Sequence, residues 1–473
     1  MNLPTLAQLA SAAQGKLLGE DRPFESAAID SRTLQAGGLF VALRGEHADG
    51  HDFVSAAWQH GAAGALVERA QPVGVPQVVV PNVLEALTVF ALQWRRQFSI
   101  PMVGVTGSNG KPTTKEMIGA MLERCGPCLV TQGNLNNHIG VPLTLLRLRD
   151  AHRSAVIEMG ANHRGEIAQL AAVAEPTVGI VTNAGAAHLE GFGGLDGVAL
   201  GKGELFQALP MTGVAVINAD DNYANAWRAA SGARRTLLFG LSAGADFSAR
   251  DIQQGVETEG SGGFITSFEL RTPLGARRIN LRLGGEHNVR NALGAAAAAH
   301  AAGAPLDYIA AGLEAMRPVS GRLHLRPALH DAVLVDDSYN ANPSSLKAGL
   351  DAFAAVSGSR WLILGDMKEL GPQEEDLHAE IGAYARATGI SRLLAIGKLT
   401  PRAVAAFGDG AKWFGDMTDL IEEARRSIHP GVAVLIKGSR SNRLERVTAA
   451  LTVAHSAGPA DAKSATHPRP HSH

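Results

Sequence analysis

Residues 100–118 read IPMVGVTGSNGKPTTKEMI, and this stretch indicates the fold of the central part of the chain. An apolar strand over 100–105 is followed by a glycine turn, a lysine and then a helix. Glycines let backbone N–H groups approach phosphate oxygens, Lys111 supplies a cation, and the start of the helix adds the positive end of its dipole. The stretch therefore predicts a nucleotide-phosphate loop in an α/β unit. The apolar face of its helix consists of Met117, Ile118, Met121 and Leu122.

The loop departs from the general phosphate-loop signature G-x-x-x-x-G-K-[ST] at both ends. Val105 stands at the first glycine position, and Pro112 stands at the final Ser or Thr position. A plain strand-to-helix turn is therefore the alternative interpretation of this stretch. The other motifs of the chain decide between the two.

Length, charge and composition limit the class of protein. At roughly 100–200 residues per domain, a chain of 473 residues predicts about three domains. The balance of 43 basic against 45 acidic side chains argues against broad, sequence-independent nucleic-acid binding. Hydrophobic residues are 45% of the chain, but no run approaches the roughly 18–20 apolar residues of a membrane span. With no secretory signal at the amino terminus, we expect a soluble, cytoplasmic monomer with no membrane or nucleic-acid partner.

Apolar runs and turn residues divide the chain into four segments. Residues 1–99 mix short strands and helices, which predicts a small α/β domain. Residues 100–318 alternate buried-type strands with helices, as a mostly parallel sheet requires, and carry a β-rich insertion around 246–285. After the junction RPVSGRL, residues 319–455 predict a Rossmann-like α/β domain. Residues 456–473 lack apolar periodicity and predict a disordered tail.

The two cysteines, Cys125 and Cys128, form a C-G-P-C motif that suggests a thioredoxin-like redox pair. A pair of that kind precedes a helix whose amino terminus lowers the thiol pKa, whereas this pair follows the helix predicted over 113–124. Gly126 and Pro127 are typical of a helix end. We therefore predict a structural role for the motif.

Polar residues follow two further strands, at the edge where open α/β sheets bind ligands. Glu158 ends the strand in VIEMGANHRGEI, and a carboxylate there can hold Mg²⁺. The segment VTNAGAAHLEGFGGLDGVALGKGELF brings Asn183, His188 and Lys202 to a second strand end. A single His or Lys at such a place is more often a surface or capping residue. Two such strand ends beside a phosphate loop favour a functional site.

The third segment also has polar residues after its strands. Asp336 and Asp337 follow one strand and suit ribose hydroxyls or a metal. Lys437 and Arg440 follow the last strand and suit phosphates or carboxylates.

A polar, basic cluster lies in the first segment, in DSRTLQAGGLFVALRGEHADGHDF. It groups Ser31, Arg32, Arg44 and His51 with glycines, and it contains no pair of catalytic base and nucleophile. The cluster therefore predicts a binding surface for an anionic group.

Taken in order, these motifs resemble the Mur ligases of peptidoglycan synthesis. The resemblance runs from about residue 25 to residue 450 and rests on nine segments in the family's order, among them TGSNGK, TQGNLNNHIGVPLTLL, EMGANHRGEI, GEHNVRNALGAAAA, DDSYNANPSSL and KGSRSNRLE. Within the family, EMGANHRGEI and DDSYNANP resemble the members that add D-alanyl-D-alanine to UDP-N-acetylmuramoyl-tripeptide. Members that add the earlier amino acids usually carry a Tyr-Ala-His arrangement at the second of these sites.

The resemblance implies an ATP-dependent amide ligase that uses Mg²⁺. ATP would phosphorylate the carboxylate of UDP-N-acetylmuramoyl-tripeptide, and the amine of D-alanyl-D-alanine would then displace phosphate from the acyl phosphate to give the pentapeptide product and ADP. A carboxylate is a poor electrophile until one oxygen becomes phosphate, so such a protein mostly positions groups and neutralises charge. Two alternatives stay open. One is another ligase of this fold, such as the ligase for the third amino acid or a folylpolyglutamate synthase, and the other is a non-catalytic protein that binds the precursor.

The family's nucleotide and metal roles carry over to matching positions of this chain. The resemblance implies phosphate contacts from Gly107, Ser108, Asn109, Gly110, Lys111, Pro112, Thr113 and Thr114. It implies adenine contacts from Asn288 and Asn291 and a ribose contact from Asp337. It implies Mg²⁺ ligands at Glu158, His188 and Thr113, and a carbamylated lysine at Lys202. Lys111, Glu158, His188 and Lys202 would be the catalytic residues.

The substrate roles carry over in the same way. The UDP moiety would contact Ser31, Arg32 and Arg44, and the sugar-peptide moiety Asn136 and Asn137. The dipeptide or the phosphates would contact Lys437, Ser439 and Arg440, which the third domain brings in by closing.

Pro112 departs from the family, which has Thr or Ser at this position. Proline suits the first turn of a helix, because its φ is preset and the helix needs no N–H there. The phosphate loses one N–H donor, however, and Mg²⁺ loses a hydroxyl ligand; such a charge-assisted contact is worth roughly 1.5–3 kcal/mol. Thr113, one residue further on, can substitute in part.

Overall fold

The computed structural model describes residues 3–257, 262–319 and 321–453. These residues form four β-sheets with helices packed against them, in three successive α/β units and one antiparallel insertion. The α/β fold class with mostly parallel sheets is thus confirmed. The predicted tail, residues 456–473, lies outside the described residues. Within the described ranges, no helix combines the length and apolar character that crossing a membrane requires.

The first unit is a small five-stranded sheet with three helices. Its elements are α1 (Leu6–Ala12), β1 (Lys16–Leu18), β2 (Ala27–Ala28), β3 (Leu39–Val41), a 3-10 turn (Gly50–Phe53), α2 (Val54–Gln59), β4 (Gly64–Val67), β5 (Gln77–Val79) and α3 (Val83–Arg95). The strand order is β1-β5-β4-β3-β2, and only β1 runs antiparallel to its neighbour. A capping box at Thr5 starts α1.

The middle unit is a six-stranded parallel sheet in the order β11-β10-β9-β6-β8-β7. Its elements are β6 (Met102–Thr106), α4 (Lys111–Leu122), a 3-10 turn (Glu123–Cys125), β7 (Cys128–Val130), α5 (Gly140–Leu145), β8 (Ser154–Glu158), α6 (Glu166–Ala174), β9 (Val178–Val181), α7 (Leu189–Phe192), α8 (Leu195–Ala208), β10 (Val214–Asn218), α9 (Ala224–Ser231) and β11 (Arg235–Phe239). Every residue of β6, β8 and β9 is buried, as expected for central parallel strands with helices on both faces.

The β-rich insertion is an antiparallel three-stranded sheet that precedes two helices of the middle unit. Its elements and these helices are β12 (Ser248–Glu257), β13 (Gly263–Thr272), β14 (Gly275–Leu281), α10 (Glu286–Ala301) and α11 (Leu306–Ala315). Burial alternates along β13, with Phe264, Thr266, Phe268 and Leu270 on the covered face. This period of two is typical of a sheet with one face toward solvent.

The third unit is a six-stranded sheet in the order β15-β16-β20-β17-β18-β19, parallel except for β15. Its elements are β15 (His324–Pro327), a 3-10 turn (Leu329–Asp331), β16 (Val333–Asp337), α12 (Pro343–Phe353), β17 (Ser359–Gly365), a 3-10 turn (Gly371–Gln373), α13 (Glu374–Ala387), β18 (Arg392–Ile396), α14 (Thr400–Phe407), β19 (Ala411–Phe414), α15 (Met417–Ser427), β20 (Val432–Lys437), a 3-10 turn (Arg440–Asn442) and α16 (Glu445–Leu451). The last strand, β20, pairs with both β16 and β17 and therefore lies inside the sheet.

The hydrophobic cores show which units are joined firmly. One continuous core runs from Leu6 and Trp94 of the first unit to Met102 and Leu205 of the middle unit. The third unit has two clusters of its own, one of which also includes Phe264 of the insertion. Each of the three larger sheets lies within one of the predicted domain ranges, whose boundaries stay a prediction.

Candidate active site

A cleft of about 820 Å³ lies where the carboxyl ends of the middle sheet face the third unit. One wall carries residues that follow β6, β8, β9 and β10, and the other carries the ends of β16 and β20. Open α/β sheets bind ligands at this edge of their strands. The sequence-predicted residues that line the cleft are Ser108, Asn109, Gly110, Lys111, Pro112, Thr113, Asn136, Asn137, Glu158, Asn183, His188, Asn288, Asn291, Asp337 and Lys437.

The remaining sequence-predicted residues do not line this cleft. They are Gly107, Thr114 and Lys202 of the middle unit, Asp336, Ser439 and Arg440 of the third unit, and Ser31, Arg32, Arg44 and His51 of the first unit. The three of the middle unit are buried.

The loop after β6 has a shape that the middle unit holds in place. Gly107 and Gly110 adopt φ angles of 139° and 81°, where residues with side chains are strained. The backbone N–H of Ser108 donates to the carbonyl oxygen of Asn183 at 2.9 Å. The N–H of Asn109 donates to Oδ1 of Asn183 at 3.1 Å. The end of β9 thus supports the loop, as a preformed phosphate site requires.

Lys111 lies at the loop as a partly buried cation. Its Nζ donates to the carbonyl oxygens of Gly107 at 2.6 Å and Ser108 at 3.2 Å. Burial lowers the pKa of Lys111, and the nearby negative charge of Glu158 opposes this effect. The ammonium group is therefore held on the loop, where it can neutralise phosphate charge.

Glu158, the last residue of β8, has one carboxylate oxygen bonded and one open. Oε1 accepts a hydrogen bond of 2.7 Å from Nδ2 of Asn136. Oε2 is buried and has no hydrogen-bond partner among the described residues; the ammonium of Lys115 lies 3.6 Å away. Buried polar atoms are normally satisfied. An unsatisfied carboxylate oxygen beside a cleft fits a cation such as Mg²⁺, which prefers oxygen ligands.

His188 is the N-cap residue of α7 and contacts the third unit. Its Nδ1 lies in close contact with Oε2 of Glu369, in the loop after β17. Burial lowers the pKa of His188, the Glu369 carboxylate opposes this, and the ammonium groups of Lys111 and Lys202 lower it further. The contact leaves Nε2 as the nitrogen for a ligand.

The donors at this site suit a metal that binds few side chains. In the parts of the chain that the structure describes, no three His, Cys, Asp or Glu side chains form a metal-holding cluster. Mg²⁺ keeps several waters and is usually held by one or two carboxylates together with substrate phosphates. Glu158, His188 and Thr113 share the cleft with the phosphate loop and fit that arrangement.

Lys202, in α8, is one of the largest fully buried side chains. Its Nζ donates to the carbonyl oxygen of Ala161 at 3.1 Å and lies 4.9 Å from the ring centre of Phe192. Among described residues, no carboxylate lies within ion-pair distance of this ammonium. Burial, reinforced by the positive charge of Lys111, lowers the pKa of Lys202 to about 7. A large share of these amines is therefore neutral at neutral pH.

Asn288 and Asn291 lie on the first turns of α10, against the phosphate loop. Nδ2 of Asn288 donates to the carbonyl oxygen of Gly284 at 2.7 Å, and Nδ2 of Asn291 donates to Oδ1 of Asn288 at 3.1 Å. A Cβ at Gly110 would lie 2.4 Å from Oδ1 of Asn291. The loop and α10 therefore approach closely only because position 110 is glycine.

Asp337 and Lys437 end the neighbouring strands β16 and β20 and are paired in register. Nζ of Lys437 donates to Oδ2 of Asp337 at 2.6 Å and to the carbonyl oxygen of Asn340 at 3.1 Å. Burial raises the pKa of Asp337, and the Lys437 charge opposes this. The structure thus brings a residue predicted for ribose and one predicted for phosphate or dipeptide into one ion pair.

Arg322 and Tyr339 line the cleft, although neither is predicted from the sequence as a site residue. The guanidinium of Arg322 lies 4.5 Å from the ring centre of Tyr339, and that of Arg440 lies 5.8 Å from it. The charge of Arg322 also acts on Lys111 and Asp337. For Arg322, the sequence signal is an arginine inside RPVSGRL, a segment that is otherwise typical of a junction between domains.

The cationic residues predicted in the first unit are already paired with carboxylates. Arg32 donates to Asp30 through Nε at 2.9 Å and Nη2 at 2.6 Å, and these bonds lower the pKa of Asp30 to about 2. Arg44 lies 3.4 Å from Asp49. Ser31, between Asp30 and Arg32 in sequence, is buried.

The cysteine motif has the properties of a structural feature. Cys125 and Cys128 are free thiols, and they follow α4 rather than precede it. Burial raises the pKa of Cys128 to about 11. Thiolates are the reactive form, so this thiol is poorly reactive near neutral pH.

Comparison with known proteins assigns all three units to one family. The model of the Mur ligase family, catalytic domain, matches residues 24–95; that of the Mur ligase middle domain matches residues 105–299; and that of the Mur ligase, glutamate ligase domain, matches residues 321–440. The UDP-N-acetylmuramoyl-tripeptide--D-alanyl-D-alanine ligase of Escherichia coli (strain K12) is 43% identical over 450 residues, which cover 94% of this chain and 98% of that protein.

Solved structures agree with the sequence relatives. A crystal structure of MurF from Acinetobacter baumannii superposes with a TM-score of 0.85 at 34% identity and covers 95% of this chain and 99% of that one. The MurF ligase from Thermotoga maritima in complex with ADP gives a TM-score of 0.76 at 27% identity, covering 90% and 96% of the two chains. Three Mur ligase family models match successive parts of the chain, and a Mur ligase of 43% identity and a solved MurF structure each align with nearly all of it. The chain therefore belongs to the Mur ligase family.

Proposed function

We propose that the chain is an ATP-dependent amide ligase that adds D-alanyl-D-alanine to UDP-N-acetylmuramoyl-tripeptide in peptidoglycan synthesis. ATP phosphorylates the tripeptide carboxylate, and the dipeptide amine attacks the acyl phosphate. The products are UDP-N-acetylmuramoyl-pentapeptide, ADP and phosphate. The similar Escherichia coli protein is named for this ligation.

The observation that supports this proposal most directly is that two different units line the cleft from opposite sides. A glycine loop with Lys111 forms one wall, and the strand-end pair of Asp337 and Lys437 forms the other. A ligase of this kind has to hold ATP, a carboxylate and an amine together, so a site between two units suits it. The related Thermotoga maritima protein binds ADP.

The nucleotide roles follow from the placement of these groups. The backbone N–H groups of the loop that do not already donate to Asn183, together with the ammonium of Lys111, contact the phosphates. Asn288 and Asn291 provide amide groups beside the loop for the adenine. Asp337 accepts from the ribose hydroxyls. Pro112, Thr113 and Thr114 complete the first turn of the helix behind the phosphates.

Mg²⁺ is proposed to be held by Glu158, His188 and Thr113. When bound, it supplies positive charge that neutralises the phosphate oxygens. Lys115 compensates the buried charge of Glu158, since its ammonium lies 3.6 Å from Oε2. Lys202 is proposed to carry a carbamate, which converts a cation beside the proposed metal ligands into an anion.

The substrate roles extend over the three proposed domains. The first, 1–99, holds the UDP moiety through Ser31, Arg32 and Arg44, and the second, 100–318, binds ATP. The third, 319–455, closes over the site. Asn136 and Asn137 face the sugar-peptide moiety, and Lys437, Ser439 and Arg440 face the dipeptide or the phosphates. Because one chain carries every proposed residue and the substrates are ATP and a UDP-linked precursor, we propose a cytoplasmic monomer.

The test is a reconstituted ligation with purified protein, ATP, Mg²⁺, UDP-N-acetylmuramoyl-tripeptide and D-alanyl-D-alanine. We expect phosphate release that requires both the tripeptide precursor and the dipeptide, and a product with the mass of the pentapeptide. Replacing the dipeptide with diaminopimelate, lysine or glutamate tests the rival ligases. The Lys111→Ala variant serves as the inactive control.

Two outcomes contradict the proposal. Turnover with a single amino acid in place of the dipeptide assigns the chain to another ligation of this fold. Binding of the precursor without release of phosphate under any of these conditions assigns it to a non-catalytic role.

A further inference from the structure

Three side chains form a closed ring of hydrogen bonds between the phosphate loop and the third unit. Nδ2 of Asn109 donates to Oγ of Ser344 at 3.0 Å. Oγ of Ser344 donates to Oδ1 of Asn342 at 3.0 Å, and Nδ2 of Asn342 donates to Oδ1 of Asn109 at 2.7 Å. The ring joins a residue of the loop to the start of α12, 233 positions further along the chain.

The orientation of both amides in this ring follows from one backbone contact. Asn342 is the N-cap of α12, and its Oδ1 accepts the backbone N–H of Ser345 at 2.9 Å. A backbone N–H bonds only to an acceptor, so the amide nitrogen of Asn342 is left to face Asn109. Each member of the ring then donates once and accepts once, and such rings are cooperative.

The middle unit holds the main chain of Asn109, and the third unit holds its side chain. The carbonyl oxygen of Asn109 accepts from Oγ1 of Thr182 at 2.6 Å and from Nδ2 of Asn183 at 3.0 Å. Its N–H donates to Oδ1 of Asn183 at 3.1 Å. Asn109 therefore connects the loop backbone to the third unit.

Gly185 leaves the space that this ring needs. A Cβ at position 185 would lie 3.0 Å from Nδ2 of Asn109 and 3.0 Å from Oγ of Ser344. Real Cβ atoms rarely approach other atoms so closely, so an alanine there would push the two side chains apart. Gly185 does not have a left-handed φ, so its role is one of space.

We propose that Asn342 is a positioning residue for the phosphate loop. It acts through Asn109 and fixes the loop in its nucleotide-receiving shape when the third unit lies against it. By linkage, a nucleotide in the loop then stabilises closure by the same factor. This inference rests on the proposed function, in which the loop holds the phosphates of ATP.

The main test is Asn342→Ser. Serine is as good an N-cap as asparagine, so α12 keeps its bond from Ser345, but the shorter side chain cannot reach Asn109. We expect faster hydrogen–deuterium exchange of the 107–111 peptide in the ligand-free protein. We expect ADP affinity to fall about two- to tenfold, the range of one neutral hydrogen bond. The KM for ATP should rise by a similar factor with kcat nearly unchanged.

Two further variants separate the ring from the stability of α12. Gly185→Ala crowds the ring from the middle unit and should have the same effects as Asn342→Ser. Ser345→Ala removes the other half of the capping box, in which its Oγ accepts from the N–H of Asn342 at 3.0 Å, but leaves Asn109 untouched. It should leave the exchange of the 107–111 peptide at the parent rate.

Unchanged loop exchange and unchanged ADP affinity in Asn342→Ser would overturn the inference. Equal acceleration of loop exchange by Ser345→Ala would also overturn it, because the effect would then come from the helix cap. If the parent protein does not bind ADP, the proposed function and the nucleotide coupling both fail. The exchange data would then still show whether Asn342 holds the loop.

Discussion

At the scale of single residues, Pro112 shows how one position can suit the helix and not the ligand. It is the second residue of α4 and lies on the cleft wall. The N–H groups of a first helical turn have no partner within the helix, so proline costs α4 nothing. A phosphate at the loop, however, would accept a hydrogen bond from the backbone N–H of position 112, which proline lacks. Thr113 lines the cleft, whereas the hydroxyl of Thr114 is buried without a hydrogen-bond partner in the described structure.

Pro112→Thr should therefore improve nucleotide use more than it changes folding. We expect a lower KM for ATP, a higher kcat or a lower Mg²⁺ requirement, with a gain of about tenfold, or roughly 1.4 kcal/mol. The Tm of the ligand-free protein should hardly move. Steady-state kinetics at varied ATP and Mg²⁺ and a thermal melt provide the measurements. If no kinetic quantity changes, Thr113 or water already replaces the missing contact.

Lys202 leads to a pH-dependent prediction. Burial holds its pKa at about 7, and only the neutral amine reacts with CO₂ to form a carbamate. The neutral fraction rises as the pH increases through 7, so carbamate content should rise in the same direction. With ¹³C-bicarbonate, we expect a carbamate signal by NMR that grows from pH 6 to pH 8.

The variant Lys202→Ala provides the control for that signal. It should lose the carbamate resonance and its ligase activity, and short carboxylates in the buffer should restore part of the activity. Full activity without them would exclude the proposed role. A parent spectrum without a carbamate resonance at pH 8 would contradict the modification itself.

At the scale of elements, the ends of parallel strands organise the third unit as well as the cleft. Asp366 follows β17 directly, and its carboxylate accepts from the backbone N–H groups of Lys398 and Leu399 at 2.9 Å each and of Thr400 at 3.1 Å. These groups belong to the start of α14, which has no side-chain cap from its own N-cap residue. A negative charge at a helix amino terminus is favourable. One strand end therefore caps a distant helix.

Asp366→Asn tests this cap at almost constant volume. The amide can accept through only one oxygen, so at least one of these three N–H groups loses its partner, and the favourable charge disappears. We expect the free energy of unfolding to fall by about 2–4 kcal/mol, measured by urea denaturation. Asp416→Asn, at the exposed N-cap of α15, is the matched comparison and should cost less than 1 kcal/mol. Equal losses of unfolding free energy in the two variants would contradict the role of Asp366 as the cap of α14.

At the scale of the whole molecule, the first and middle units share one core, whereas the third unit has two clusters of its own. The first and middle units share a continuous core, and Nε1 of Trp94 in the first unit donates to the carbonyl oxygen of Leu148 in the middle unit at 3.2 Å. The third unit meets the middle unit through polar contacts at the cleft, among them those of Asn109 with Asn342 and of His188 with Glu369, and meets the insertion through Phe264, which lies in one of its apolar clusters. Interfaces of that kind permit domain motion.

The third unit should therefore close when ligands bind. The hinge is expected near Pro318 and Gly321, where Gly321 has a φ of 73°. Small-angle scattering should give a smaller radius of gyration with saturating ATP analogue, Mg²⁺ and tripeptide precursor than without them. Lys111→Ala, which weakens phosphate binding, should show less compaction. An unchanged radius in the parent protein would count against closure.

The sequence by itself determined the features that depend on neighbouring residues. The alternation of buried strands and helices, the glycine loop with Lys111 and the carboxylate of Glu158 at a strand end are all local patterns, and the structure has them where the sequence predicts them. The β-rich insertion predicted around 246–285 is likewise present as β12 to β14. Strand and turn propensities act over a few residues, so such features can be read from short segments.

Only the tertiary structure decided which of these groups meet. Lys437 reaches Asp337 across 100 positions because β20 inserts beside β16, and no local pattern specifies that strand order. The depressed pKa of Lys202 arises from burial by distant elements, and a short sequence segment does not show it. Arg322 lines the cleft and Arg32 and Arg44 do not, because packing between distant elements decides which side chains reach it. Charge and burial at a site depend on packing between elements, and this depends on the whole chain.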